Sequence, residues 1–275
     1  MKETRIISLG AGVQSTTVAL LAVHGEIPPV EHAVFADTGW EPEEVYAHLK
    51  WLTPILENAG IRVHQVYAGN IRKDTLSVGR FASIPFHLLT ENGHAIARRQ
   101  CTTEYKISPL NAKQREIIGL KKRQRWKEEN GIIINLMGIS TDEIQRMKDN
   151  HIHYITNNYP LIDLRMSRND CLTWVKEKGY PTPPRSACIG CPYHSDHEWR
   201  RIRDTDPDAW QDAIDFDKEI RRLREVQPDS QLSKLKAVPF LHKSCTPLDE
   251  VDLRTEEDHG QINMFDMECE GMCGI

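Results

Sequence analysis

The strongest constraint on the fold is the alternation of short apolar runs with amphipathic stretches between Ile6 and Val66. Ile6-Ile7-Ser8-Leu9 reads as a buried strand, Gly10-Ala11-Gly12 as a small-residue turn, and Val18 through Val23 as helix. Val30 to Ala36 reads as a second strand and ends in Asp37-Thr38-Gly39-Trp40. Pro42 then suits the first turn of a helix, because its fixed φ and missing N–H cost nothing there. That helix carries Val45, Leu49, Leu52 and Leu56 on one stripe. Ile61 to Val66 is a third strand. Strands and helices alternating through short links imply a parallel sheet with right-handed crossovers. Ile132 to Met137 reads as a fourth strand and Tyr159 to Leu164 as a short fifth, with helices over Ile107–Ile118 and Arg168–Lys178, the latter stopping at Gly179.

The expected fold class is therefore α/β, a doubly wound parallel sheet with helices on both faces, over residues 1–180. Gly69 to Asn92 looks less regular and reads as a mobile segment or lid. After Tyr180 the composition changes. A stiff Pro181-Thr182-Pro183-Pro184 leads into Cys188-Ile189-Gly190-Cys191, then two charged helices at about Asp196–Arg203 and Pro207–Arg224, then a polar, acidic tail. Residues 181–275 are expected to form a smaller cysteine-containing region packing over the active site.

In open parallel sheets, ligands gather at the carboxyl ends of the strands, where Ser8–Thr17 and Asp37–Gly39 both fall. Gly10, Ala11 and Gly12 let backbone amides approach an anion closely. Ser15, Thr16 and Thr17 add hydroxyls where the positive end of a helix dipole begins. The plainer alternative is a strand-to-helix turn whose glycines only solve a backbone problem. The stretch has neither Gly-Lys-Ser/Thr nor the G-x-G-x-x-G spacing. Asp37 suits a ribose or Mg²⁺, and Asp142 and Glu143 suit Mg²⁺ or a helix cap. Arg98, Arg99, Lys106 and Arg146 suit phosphate clamping or surface ion pairs. No Ser-His-Asp or nucleophile-elbow pattern is visible along the chain.

Seven cysteines are present: Cys101, Cys171, Cys188, Cys191, Cys245, Cys269 and Cys273. Mean hydropathy is −0.52, no apolar run approaches the ~20 residues of a membrane span, and the chain enters a strand at once. A cytoplasmic protein without membrane contact is expected, in which cysteines serve metal, cluster or redox chemistry. Cys188-x-x-Cys191 fits zinc with His194 as a further ligand, an iron–sulfur cluster, or a redox dithiol. The net charge of −5 argues against a globally nucleic-acid-coating protein. Local basic clusters occur at Lys113–Lys127 with Trp126, at Arg200, Arg201 and Arg203, and at Arg221, Arg222 and Arg224; solvated helix faces are their simpler reading.

Several segments resemble known families. Phe35-Ala36-Asp37-Thr38-Gly39 followed by Pro42-Glu43-Glu44-Val45-Tyr46 resembles the D-T-G…P-E-T segment of phosphoadenosine phosphosulfate (PAPS) reductases. Ser8–Thr16 is similar to the S-G-G-x-D-S pyrophosphate loop of the adenine nucleotide alpha-hydrolase (PP-loop ATP pyrophosphatase) superfamily, with Gly10, Val13 and Gln14 standing for its Ser, Lys and Asp. Gly138 to Arg146 resembles that superfamily's G-x-R…R strand end, and Tyr159-Pro160-Leu161 its later P-L strand. Cys101-Thr102-Thr103-Glu104-Tyr105-Lys106, continuing to Pro109-Leu110, is similar to the cysteine–lysine–P-L segment of cluster-bearing adenylyl-sulfate (APS) reductases. Cys188-x-x-Cys191 resembles their second cysteine pair, and Glu268-Cys269-Glu270-Gly271 their E-C-G terminus.

The resemblance implies a site for ATP, or for PAPS or APS, with Mg²⁺. Its residues would be Ser8, Gly10, Ala11, Gly12, Gln14, Ser15, Thr16, Asp37, Thr38, Gly39, Gly138 and Arg146, with Arg98, Arg99 and Lys106 as phosphate clamps. It further implies a [4Fe-4S] cluster on Cys101, Cys188, Cys191 and Cys273, with Cys171 and Cys269 as rivals for the fourth place and zinc as the alternative metal. Cys269 would carry sulfur. The implied activity is ATP-dependent adenylation for sulfur insertion, with DNA phosphorothioation ahead of tRNA thiolation. A cysteine desulfurase or other sulfur donor would be its partner, and DNA or tRNA its acceptor. PAPS or APS reduction with thioredoxin is one alternative, and a zinc-stabilised nucleotide- or nucleic-acid-binding module without catalysis another.

Overall fold

The structure, a computed structural model, describes residues 2–78, 83–91 and 93–254. In chain order its elements are β1 (Glu3–Leu9), α1 (Val13–Val23), β2 (His32–Asp37), α2 (Glu43–Asn58), β3 (Arg62–Tyr67), α3 (Ile71–Leu76), β4 (His87–Thr90), β5 (Gly93–Ile96), α4 (Ser108–Ile117), β6 (Ile132–Met137), β7 (Ile155–Asn158), α5 (Pro160–Asp163), α6 (Arg168–Glu177), α7 (Asp196–Thr205), α8 (Pro207–Val226) and β8 (Val238–Phe240). They fall into two compact units. Unit 1 comprises Met1–Asp37, Glu43–Ala68 and Lys106–Ser186; unit 2 comprises Thr38–Pro42, Gly69–Tyr105 and Ala187–Ile275.

Unit 1 is built on a five-stranded sheet of order β3-β2-β1-β6-β7, and every neighbouring pair is parallel. Side chains alternate across a strand, and the core follows that period. Ile7, Leu9, Ala33 and Phe35 pack on one face with Val18, Leu21, Leu49, Leu56, Cys171 and Val175 from α1, α2 and α6. Ile6, Val34 and Ile133 pack on the other face with Leu110 of α4. Helices thus cover both faces of a parallel sheet, as the apolar runs predict. The chain leaves β1 towards β2 and β3, then returns to the other side of β1 as β6. The carboxyl end of β1 is therefore the switch point.

Two expectations fail. Tyr159–Leu164 is not a strand: Pro160 opens the short helix α5, and the fifth strand is the preceding Ile155–Asn158. Pro160 has no N–H for a ladder but suits a helix's first turn. Ile155–Asn158, with three polar residues, carries too weak an apolar pattern to be read in advance. Within Gly69–Asn92 the described residues are also more regular than the composition suggests. Asn70 caps α3 by accepting from the Lys73 amide at 2.9 Å, and β4 begins at His87.

Unit 2 contains a three-stranded antiparallel sheet, β5-β4-β8. Its longest helix, α8, buries Ala209, Ala213, Phe216, Asp217 and Ile220 on one stripe. Phe216 lies 4.6 Å from the Trp40 ring and 6.3 Å from that of Phe86. The strand β8 has three residues with a central proline, and nothing in the sequence announced it.

Candidate functional site

In unit 1 the switch point is occupied by Gly10-Ala11-Gly12. Helix α1 begins at Val13, earlier than the apolar pattern alone suggests, so Gln14, Ser15, Thr16 and Thr17 all lie in its first turns. Ala11 is buried with φ +56°. A left-handed conformation in a residue with a Cβ is uncommon and costs of order 1 kcal/mol or more. The turn is braced by Ser15, whose Oγ accepts from the Gly10 amide at 3.1 Å and donates to the Gly12 carbonyl at 3.3 Å. Gly12, the N-cap, has no side chain to satisfy the helix's first amides, and no acid lies in the first turn. Those amides and the dipole end form an electropositive terminus.

Gly138 follows β6 and abuts this terminus. A Cβ at Gly138 would stand 2.6 Å from the Ser15 nitrogen and 2.8 Å from the Gln14 carbonyl carbon. Only glycine lets the strand end meet the helix backbone this closely.

A polar network surrounds Gln14. Arg168 Nη1 donates to Gln14 Oε1 at 3.0 Å, and Gln14 Nε2 faces Ser140 Oγ and Glu143 Oε2, each at 3.4 Å. These bonds orient the amide. Arg146 Nη1 in turn sits 2.6 Å from Glu143 Oε2, whose side chain is 9% exposed. Gln14 and Arg146 are therefore brought together near the α1 terminus through an internal carboxylate. Arg168 was missed from the sequence, because an arginine opening a helix carries no signal of its partner.

Other predicted residues have structural partners. Ser8 Oγ donates to Asn135 Oδ1 at 2.7 Å inside the sheet. Thr16, fully buried, bonds His48 Nε2 at 3.0 Å. Burial holds His48 neutral, lowering its pKa to about 4. Asp37 accepts from the Tyr46 hydroxyl at 2.9 Å. Cys171 is buried in the core, and its thiol is pushed up to about 12 by burial. Lys106 lies in a π-helical turn, Thr103–Ile107, ahead of α4.

Unit 2 assembles a second candidate site around Cys188-x-x-Cys191. The turn closes through Cys191 N–H to Cys188 O at 3.1 Å. His194 reaches back with Nε2 to the carbonyls of Cys188 and Ile189 at 3.0 and 3.2 Å. That nitrogen therefore carries hydrogen and braces the turn. The Asp-Thr-Gly-Trp segment holds the same turn from the other side. Thr38 Oγ1 is 3.2 Å from Cys188 Sγ and donates to Glu41 Oε1 at 3.0 Å. The Cys188 thiol points at the same Glu41 oxygen at 3.7 Å. The Ile189 amide donates to Trp40 O at 3.0 Å. A Cβ at Gly190 would fall 2.1 Å from Trp40 Cη2, so the indole lies directly on the turn. Trp40 Nε1 is fixed by Asp212 at 2.6 Å, and Asn70 donates to the Gly39 carbonyl. Thr38 and Trp40 thus engage the thiol turn. The Asp-Thr-Gly-Trp run was conspicuous in the sequence, but its partner was not.

Comparison with family models and with curated proteins finds no match for this chain.

Cys101 also lies in unit 2, its amide donating to Ser83 O at 3.1 Å. Arg98 is exposed, and Arg99 lays its guanidinium 5.3 Å from the Tyr193 ring centroid. Cys269 and Cys273, the predicted sulfur carrier and fourth cluster ligand, lie outside the described residues. Among the described residues, no three His, Cys, Asp or Glu side chains form a metal-holding group. No helix among them is long and apolar enough to cross a membrane.

Proposed function

We propose that this chain is a PP-loop-type ATP pyrophosphatase of the cytoplasm, which adenylates an oxygen of a nucleic acid so that sulfur can replace it. DNA phosphorothioation is the leading assignment. One observation carries the reading: a strained small-residue turn, Gly10-Ala11-Gly12, stands at the switch point of a parallel sheet before an uncapped helix N-terminus. That is where such sheets take phosphates. The α1 amides would hold the pyrophosphate, with charge supplied by Arg168 and Arg146, and Asp37 would serve the nucleoside or Mg²⁺. The acceptor oxygen would attack the α-phosphorus and release pyrophosphate. The terminal sulfur of a persulfide on Cys269, delivered by a cysteine desulfurase, would then attack the activated phosphorus and displace AMP. An external thiol would cleave the remaining S–S bond, leaving sulfur on phosphorus and a disulfide on Cys269. Cys188 and Cys191 suit thiolate chemistry, but four cluster ligands are not assembled among the described residues, so no step is routed through a cluster.

The test is anaerobic purification followed by separate incubation with labelled ATP, PAPS and APS, with iron and acid-labile sulfide assayed on the same sample. Pyrophosphate release from ATP is expected. Ser15→Ala removes the brace under Gly10 and should weaken nucleotide binding roughly fivefold, as one lost hydrogen bond of about 1 kcal/mol implies. Sulfite release from PAPS or APS would replace this reading with the reductase. Binding of none of the three nucleotides at millimolar concentration would overturn the nucleotide site itself.

A further inference from the structure

We propose that unit 2 carries a second, separate reactive centre. Ser244 is a nucleophile activated by His242 and oriented through Asp196, competent to take an acyl or phosphonyl group from an activated ester. His242 Nε2 lies 2.8 Å from Asp196 Oδ1, and His242 Nδ1 lies 2.7 Å from Ser244 Oγ. The direction of the proton chain follows from chemistry. Asp196 is held below the usual carboxylate range, first by its bond to His242 and also by the charge of Lys243. An ionised carboxylate only accepts, so Nε2 of His242 carries a hydrogen. In the neutral imidazole Nδ1 is the acceptor, faced both by the Ser244 hydroxyl and, at 3.1 Å, by the Ser244 amide. Ser244 then donates its hydroxyl hydrogen to Nδ1, the arrangement a general base needs. The three residues stand 46 and 2 positions apart, which is why the sequence shows no triad.

The centre is both preorganised and reachable. His242 is 3% exposed, whereas Ser244 is exposed. Asp196 sits in the first turn of α7, where the helix dipole favours negative charge. His242 lies two residues beyond the end of β8. The loop from Leu241 to Leu248 is pinned to α8 at both ends by one buried carboxylate. Asp217 Oδ1 accepts from the Leu241 amide at 2.9 Å, and its Oδ2 from the Leu248 amide at 3.0 Å. Cys245, next to the nucleophile, has φ +53°. Its amide closes the turn onto His242 O at 3.0 Å. Left-handed strain in a non-glycine residue persists only where the surroundings enforce it. The Cys245 thiol is itself buried and pushed up by burial, so the exposed oxygen is the nucleophile.

In the reaction, Ser244 Oγ attacks the carbonyl carbon or phosphorus of the ester as its proton passes to His242 Nδ1. The resulting imidazolium is stabilised by Asp196. The bond to the leaving group breaks, and the leaving group takes the proton from Nδ1. For an acyl ester, water then attacks the acyl-serine with His242 again as base, regenerating the hydroxyl and releasing the acid.

The test treats the full native chain with a fluorophosphonate probe and locates the adduct by peptide mass. The probe should label Ser244 at least ~10²-fold faster in native than in denatured protein, the lower range of general-base assistance. Ser244→Ala, a change at an exposed position, should abolish the adduct. Asp196→Asn, with its fold checked by circular dichroism, should slow labelling tenfold or more, because it no longer enforces the reactive tautomer. Equal labelling of native and denatured protein, an adduct at another residue, or unchanged labelling in Asp196→Asn would overturn the proposal. An Asp–His ion pair with a merely structural serine predicts those outcomes.

Discussion

Replacing Asp217 by asparagine should be among the most damaging single-atom-scale changes in unit 2. Asp217 is 1% exposed. Its two oxygens accept from two loop amides and from Arg221 Nη1, the last at 2.6 Å. An asparagine keeps one acceptor oxygen and turns an NH₂ group towards a donor that needs an acceptor. At least one buried amide then loses its partner, a cost of about 1–3 kcal/mol. Arg221, with its side chain 16% exposed, loses its carboxylate as well. Removing one member of such a pair costs roughly 3–5 kcal/mol. The two effects share one group and do not add, so the expected total is about 3–5 kcal/mol against a typical domain stability of about 5–15 kcal/mol. Urea unfolding of wild type and Asp217→Asn measures the total. Amide hydrogen exchange at Leu241 and Leu248 localises it, since both amides should exchange faster. A loss below about 1 kcal/mol with both amides still protected would refute the anchoring role. Arg221→Met separates the ion pair from the loop anchor, because it leaves both amide bonds in place.

Two further outcomes are expected in unit 1. Gly138→Ala should destabilise the protein by about 1–3 kcal/mol through overpacking and weaken nucleotide binding, because its Cβ would stand 2.6 Å from the Ser15 nitrogen; unaltered urea midpoint and nucleotide affinity would show that the contact is not tight. His48 titrates at about 4 when folded, against its ordinary 6.5. As pH falls below 6.5 the unfolded chain takes up a proton that the folded chain refuses. Stability should therefore decline between pH 6.5 and 4 and level off below, by up to ~3 kcal/mol at 1.36 kcal/mol per pH unit. Urea midpoints across that range for wild type and His48→Gln isolate the effect, and parallel pH curves would contradict it.

Much of unit 1 was determined by the sequence itself. The short apolar runs at Ile6–Leu9 and Ala33–Phe35 and the stripe from Val45 to Leu56 specify a strand or helix locally. Short links then leave only a parallel sheet with right-handed crossovers. The small-residue turn was legible for the same reason: Gly10, Ala11 and Gly12 adjoin in sequence what they adjoin in space. The tertiary structure alone decided which side chains those elements spend on one another. Gln14 answers to Arg168 and Glu143, Thr38 to Cys188 and Glu41, and Trp40 to Gly190. Asp196 and His242 meet only because the loop after β8 comes back to the start of α7. Apolar periodicity acts over one or two helical turns and leaves a mark along the chain. A hydrogen bond between residues 46 or 150 positions apart leaves none, because it depends on closure of the fold and not on the pattern of the neighbours.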